Sequence, residues 1–132
     1  MNVLLDTQVL IFIGSGAVEK IGKKALEIYL DPKTTAHISQ ISYWEMAIKI
    51  NIGKLHIPIG LQNTMLLTQQ AGIAMIPVQN SHILQYQSLE VKDNHKDPFD
   101  RYIIATAMVE KMAILSSDSK FDLYPDVVRV WT

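Results

Sequence analysis

Asn2-Val3-Leu4-Leu5-Asp6-Thr7 opens the chain with a short apolar run that ends on a carboxylate. Val3-Leu4-Leu5 does not alternate with polar residues, and a strand covered on both faces reads this way. Runs of the same kind recur at Ala36-His37-Ile38, Ile73-Ala74-Met75-Ile76, Ala113-Ile114-Leu115-Ser116 and Val128-Arg129-Val130-Trp131. Stretches with helical spacing lie between them. Residues 18–30 place Ile21, Ala25, Ile28 and Tyr29 on one face, with Lys20, Lys23, Lys24 and Glu27 opposite, and Asp31-Pro32 stops the pattern. Ser39 or Ser42 caps a helix that runs through Trp44 and Ile48 to Gly53. Residues 60–71 and 81–89 supply two more. Pro98 then sits in the first turn of a helix reaching about Lys111, with Asp97 as its N-cap. The alternation predicts one α/β domain over residues 1–132, a short, mainly parallel five-stranded sheet flanked by helices in three layers.

Composition narrows the function classes. A chain of 132 residues with 48% apolar residues fits one domain with a real core. Twelve Lys and Arg against thirteen Asp and Glu leave a net charge of −1, which excludes a polycation that holds nucleic acid by bulk charge. The absence of Cys removes disulfides, thiolate zinc sites and cysteine nucleophiles, and it suits a reducing, cytoplasmic setting. No Lys or Arg precedes the first apolar run, and Asp6 interrupts it, so no secretory signal is read there. Residues 55–89 lack charged side chains, but Gln, Asn, Pro and Gly break the stretch and no membrane span is expected. Gly14-Ser15-Gly16 has neither the third glycine of a dinucleotide loop nor a following Lys-Ser or Lys-Thr; it reads as a tight connection between a short helix and the next. No Gly-x-Ser-x-Gly elbow supports a serine hydrolase.

In parallel sheets ligands bind outside the carboxyl ends of the strands. Asp6 follows the first strand, Glu45 lies in the first turns of the helix after the second, Asp100 opens the Pro98 helix, and Asp118 follows the fourth strand. Each has a plain structural alternative: Asp6 and Asp118 as turn formers or caps, Glu45 as a solvated helix residue, Asp97 as an N-cap only. The parallel sheet nevertheless brings Asp6, Asp100 and Asp118 to one edge, with Glu45 leaning in. Two carboxylates ~5 Å apart repel by roughly 3 kcal/mol at an effective dielectric of about 20, so such a cluster calls for a cation. All-oxygen donors suit Mg²⁺ or Mn²⁺, which can polarise a phosphoryl oxygen and activate water for in-line attack on a phosphodiester.

Four blocks, in order and spanning nearly the whole chain, resemble the PIN-domain ribonucleases, and among them the VapC-type toxins. They are Asn2–Thr7, the Ser39-Gln40-Ile41-Ser42-Tyr43-Trp44-Glu45-Met46-Ala47-Ile48-Lys49 helix with Gly53-Lys54-Leu55, the His95-Lys96-Asp97-Pro98-Phe99-Asp100-Arg101 segment continuing through Ala107, and Leu115-Ser116-Ser117-Asp118. The resemblance implies a PIN-like fold, a Mg²⁺- or Mn²⁺-dependent endoribonuclease, inhibition by a VapB-like antitoxin, and a homodimer. Asp6, Glu45, Asp100 and Asp118 match the acidic quartet as catalytic residues and metal ligands. Ser116 matches a hydroxyl that orients Asp6 or a water, and Asp97 belongs to the motif outside the quartet.

Basic residues near these blocks complete the reading. Lys49 lies one turn after Glu45, Arg101 adjoins Asp100, and Lys54, Lys96 and Lys120 flank the motif loops. Some are expected to form a modest basic rim for RNA, while Arg101 can equally pair with a carboxylate and brace the quartet. Trp44 reads as a core or interface residue, Phe99 and Tyr102 as packing residues, and His37 and His95 as unnecessary for metal. Two other functions fit less well. A phospho-accepting receiver domain needs an Asp after the third strand, where Pro77-Val78-Gln79 stands. A binding module without catalysis, using apolar residues on the helices of Leu26 and Trp44 as a partner groove, remains the alternative that turnover would test.

Overall fold

The computed structural model describes residues 1–132. Five strands, β1 (Asn2–Leu5), β2 (Thr35–Ser39), β3 (Ala74–Ile76), β4 (Ala113–Leu115) and β5 (Arg129–Val130), form one sheet in the order β3-β2-β1-β4-β5. Every pairing is parallel, so the sheet is wholly and not just mainly parallel. Six helices connect the strands: α1 (Thr7–Gly14), α2 (Lys23–Leu30), α3 (Gln40–Asn51), α4 (Gly60–Gln70), α5 (Asn80–Gln87) and α6 (Pro98–Glu110). Val18–Lys20 and Ser119–Leu123 are 3₁₀ turns.

The unbroken apolar run of β1 is explained by two cores. Val3 and Leu5 point to one face and pack with Val9, Leu10, Ile38 and Met46. Leu4 points to the other and packs with Ile103, Ile104, Ile114 and Phe121. Neighbouring residues of β4 divide in the same way, Leu115 to the first core and Ile114 to the second. Each such buried side chain contributes roughly 1.5–3 kcal/mol, so a polar residue on either side of β1 would be costly. The chain therefore leaves β1 over one face and returns to β4 over the other. The crossovers diverge between these two central strands, which opens a crevice at their carboxyl ends.

The helix expected over residues 18–30 is divided. Ile21 and Gly22 are extended, and α2 begins only at Lys23. The C-terminal segment causes the break: Ala25 donates its backbone N–H to the Trp131 carbonyl oxygen at 2.9 Å. A Cβ at Gly22 would lie 2.8 Å from the Trp131 carbonyl carbon, so only glycine lets the two backbones approach. The remaining expected helices lie within a few residues of their predicted ends. β3 is an edge strand followed by Pro77, with no carboxylate where a receiver domain needs its acceptor. No helix is long and apolar enough to cross a membrane.

Candidate metal centre and active site

Asp6 occupies the N-cap position of α1, yet its carboxylate makes no capping hydrogen bond. It is instead held by Ser116, whose Oγ donates to Asp6 Oδ2 at 2.7 Å. The same Oγ accepts the backbone N–H of Asp118 at 3.0 Å. Ser116 is fully buried just past β4, so one hydroxyl ties together the residues that follow the two central strands. Asp118 caps the 3₁₀ turn after it, its Oδ1 accepting from Lys120 N–H at 2.9 Å.

Glu45 reaches the same edge from α3. Ser39 caps that helix by accepting the Ile41 N–H, and Thr7 Oγ1 donates to Ser42 Oγ at 2.8 Å, locking α3 against α1. Glu45 is 5% exposed, far from the solvated residue it resembles in isolation. Lys49 Nζ donates to its Oε2 at 2.9 Å, while Oε1 is buried with no hydrogen-bond partner. That pairing holds the Lys49 ammonium above its ordinary pKa.

Asp100 is placed by the start of α6. Asp97 Oδ1 accepts the N–H groups of Phe99 and Asp100 at 2.9 and 3.0 Å, and Pro98 occupies the first turn, as the sequence predicts. The Asp100 carboxyl is pushed up to about 8, first by burial and then by the charges of Asp97, Asp6, Glu45 and Asp118. Burial likewise raises Asp6 to about 6 despite the Ser116 hydrogen bond, with Glu45 and Asp118 adding to the rise. Each of the four acids thus lies near enough to bear on the charge of Asp6 or Asp100, which places them along one edge of the sheet. Without a cation, such a site retains protons that isolated carboxylates would lose.

Ligand atoms of His95, Asp100 and Asp118 all lie within 4.8 Å of one another. A divalent cation fits this donor set, because burial and neighbouring negative charge disfavour the Asp100 carboxylate and His95 Nε2 is buried with no hydrogen-bond partner. Asp6 and Glu45, expected as ligands, lie outside this closest group.

A family model described as "PIN domain" matches residues 3–127. The chain belongs to the PIN-domain family. PIN domains are in general nucleases that use divalent metals, and the acidic edge of this PIN domain has the character such chemistry requires. Solved structures share its fold. VapBC2 from Rickettsia felis bound to a promoter DNA fragment aligns with TM-score 0.68 and 15% identity, over 100% of each chain. VapBC-5 from Mycobacterium tuberculosis gives 0.64 and 15% identity, over 98% of both chains. A toxin–antitoxin complex from Klebsiella pneumoniae gives 0.61 and 23% identity, over 96% of this chain and 95% of that one. No curated protein matches the chain.

Three sequence expectations change at this PIN-domain site. Arg101 neither joins a basic rim nor pairs with a carboxylate. It is buried and donates from one nitrogen to the Glu90 carbonyl oxygen and to Tyr124 Oη, at 3.1 and 2.9 Å, beneath the Tyr86 ring. Of the two places expected for Trp44, the core is excluded: it is 60% exposed and meets Phe99 edge-on at 5.6 Å, because the inward stripe of α3 is taken by Ser42, Glu45 and Met46. His95, set aside on sequence grounds, is buried beside Asp100, with Nε2 3.6 Å from Oδ2. Its signal was its place in the same block, five residues before Asp100.

Ser116→Ala removes both the hydrogen bond to Asp6 and the acceptor for Asp118 N–H. Nuclease activity is expected to fall by about 10–100-fold, the usual loss when a residue supporting a metal ligand is removed. Ser116→Thr is expected to retain most of it. Equal activity in Ser116→Ala and wild type, measured by initial rates of nucleic-acid cleavage, would contradict the role.

Proposed function

We propose that the protein is a metal-dependent endoribonuclease and the toxin of a toxin–antitoxin pair, with Asp6, Glu45, Asp100 and Asp118 as its catalytic, metal-binding quartet. The observation that carries this reading is the convergence of these four acids, from four distant segments, at the carboxyl edge of the sheet, with Ser116 tying Asp6 to the Asp118 backbone and ligand atoms of Asp100 and Asp118 within 4.8 Å of each other. Bound Mg²⁺ or Mn²⁺ supplies the positive charge that stabilises negative charge developing on a phosphoryl oxygen.

The chain's own residues do the rest. Ser116 orients Asp6 and Asp118 together, Lys49 anchors one oxygen of Glu45, and Asp97 fixes the helix turn that presents Asp100. Lys54, Lys96 and Lys120 are exposed and available to an RNA backbone, which gives weak binding that falls with salt. Single-stranded loops are the accessible RNA targets for such a site.

An antitoxin segment has a seat beside the quartet. Ile41, Trp44, Leu61, Met65, Met75 and Val78 line a groove of about 830 Å³ between α3, α4 and the exposed edge strand β3. The solved toxin–antitoxin complexes of the same fold support a protein partner, which this reading assigns to the groove for its apolar lining, and a homodimer is part of the same reading. Purified protein free of antitoxin is expected to cleave RNA with Mg²⁺ or Mn²⁺ and to stop with EDTA. A folded, metal-loaded protein that turns over no RNA would favour the binding module instead.

A further inference from the structure

We propose that His95 is itself a metal ligand, its Nε2 joining the carboxylates of Asp100 and Asp118 to give the centre a mixed nitrogen and oxygen donor set. The inference rests on the metal-centre reading above and adds a residue that the acidic quartet does not contain. His95 is 2% exposed and wedged edge-on against Phe121 and Tyr124, with ring centroids 5.9 and 5.4 Å away. Packing of this kind leaves the ring a single orientation. Its Nε2 is buried without a hydrogen-bond partner, 3.6 Å from Asp100 Oδ2. Buried ring nitrogens are rarely left unpaired, and the group within reach is the acidic cluster.

The spacing suits a shared ion. Donors about 2.1 Å from a common ion lie about 3.0 Å apart when adjacent and about 4.2 Å apart when opposite. The atoms offered by His95, Asp100 and Asp118 all fall within 4.8 Å, so a small rotation of the half-buried Asp118 carboxylate closes the set.

The other ring nitrogen is supported as a ligating histidine requires. His95 Nδ1 lies 2.7 Å from Tyr124 Oη, and Arg101 donates to the same Oη at 2.9 Å. A guanidinium only donates, so Oη accepts from it and has a second lone pair for Nδ1–H. With the ring proton on Nδ1, the Nε2 lone pair is free for the ion, and no net proton is released. The buried Arg101 thereby acquires a purpose: through Tyr124 it positions His95. An imidazole nitrogen suits Mg²⁺ poorly, so the centre should bind Mn²⁺ more tightly than Mg²⁺.

The full chain, stripped with EDTA, can be titrated with Mn²⁺ and the loss of free-ion signal followed by electron paramagnetic resonance. Electron spin-echo modulation of the bound ion then reports whether nitrogen is coordinated. The expected result is ¹⁴N modulation in the wild type, absent in His95→Gln, with Mn²⁺ affinity lowered about tenfold or more in that variant. Mg²⁺ affinity should change less. Bound Mn²⁺ without nitrogen modulation in the wild type overturns the assignment while leaving a carboxylate site intact. Absence of Mn²⁺ binding overturns the metal centre as a whole. If His95→Gln does not fold, the wild-type spectrum still decides, since no other histidine belongs to the cluster.

Discussion

Asp100→Asn is expected to abolish RNA cleavage and, in the metal-free protein, to raise the melting temperature. The loss of activity follows from removing a charged donor at the centre of the acidic cluster. Several kcal/mol of charge stabilisation corresponds to a rate decrease of about a thousandfold or more. The gain in stability follows from the same charge. In the folded chain the Asp100 carboxyl is pushed up to about 8, whereas in the unfolded chain it returns to the model-peptide value of 3.8. Between these values the native state binds the extra proton, so stability falls as pH rises through the window. Asp6, raised to about 6, adds to the fall at the lower end. Asparagine has no proton to lose, and its melting temperature should exceed that of wild type most clearly near pH 8. A destabilisation of 1 kcal/mol lowers the melting temperature of a domain this size by roughly 3–6 °C, so calorimetry will resolve the difference. A variant that still cleaves RNA, or that melts lower than wild type with the same pH slope, would remove Asp100 from its assigned place.

Divalent cation binding should reverse this instability. At a hundredfold excess over its dissociation constant, Mn²⁺ or Mg²⁺ stabilises the fold by about 2.7 kcal/mol, a shift of roughly 8–16 °C. The shift should be larger at pH 8 than at pH 6. Below about 8 the ion must displace the proton held by Asp100, so its apparent affinity falls by up to tenfold per pH unit. In Asp100→Asn both the shift and its pH dependence should shrink together. A metal-induced shift of equal size at pH 6 and pH 8 would place the ion elsewhere on the protein.

Both results depend on features that differ in how legible they are in the chain. The runs at Val3-Leu4-Leu5 and Ala113-Ile114-Leu115 announce doubly covered strands, because residues alternating toward two cores must all be apolar. Asp97-Pro98 announces the start of α6, because capping is settled within one turn of backbone. The placing of the acids, Asp6 and Asp118 just past strands, Asp100 at a helix start and Glu45 in the second turn of α3, then follows from parallel topology. Local chemistry and connectivity thus determined the fold class and the positions of Asp6, Glu45, Asp100 and Asp118. Only tertiary packing decided the rest. The C-terminal Trp131 backbone breaks the expected helix at Gly22, more than a hundred residues away in sequence. Likewise Tyr124 and Glu90 draw Arg101 inward, and Phe121 and Tyr124 turn His95 toward Asp100. Proton affinities, unpaired atoms and side-chain exposure depend on which distant groups are packed alongside, and that information arises only when the chain has folded.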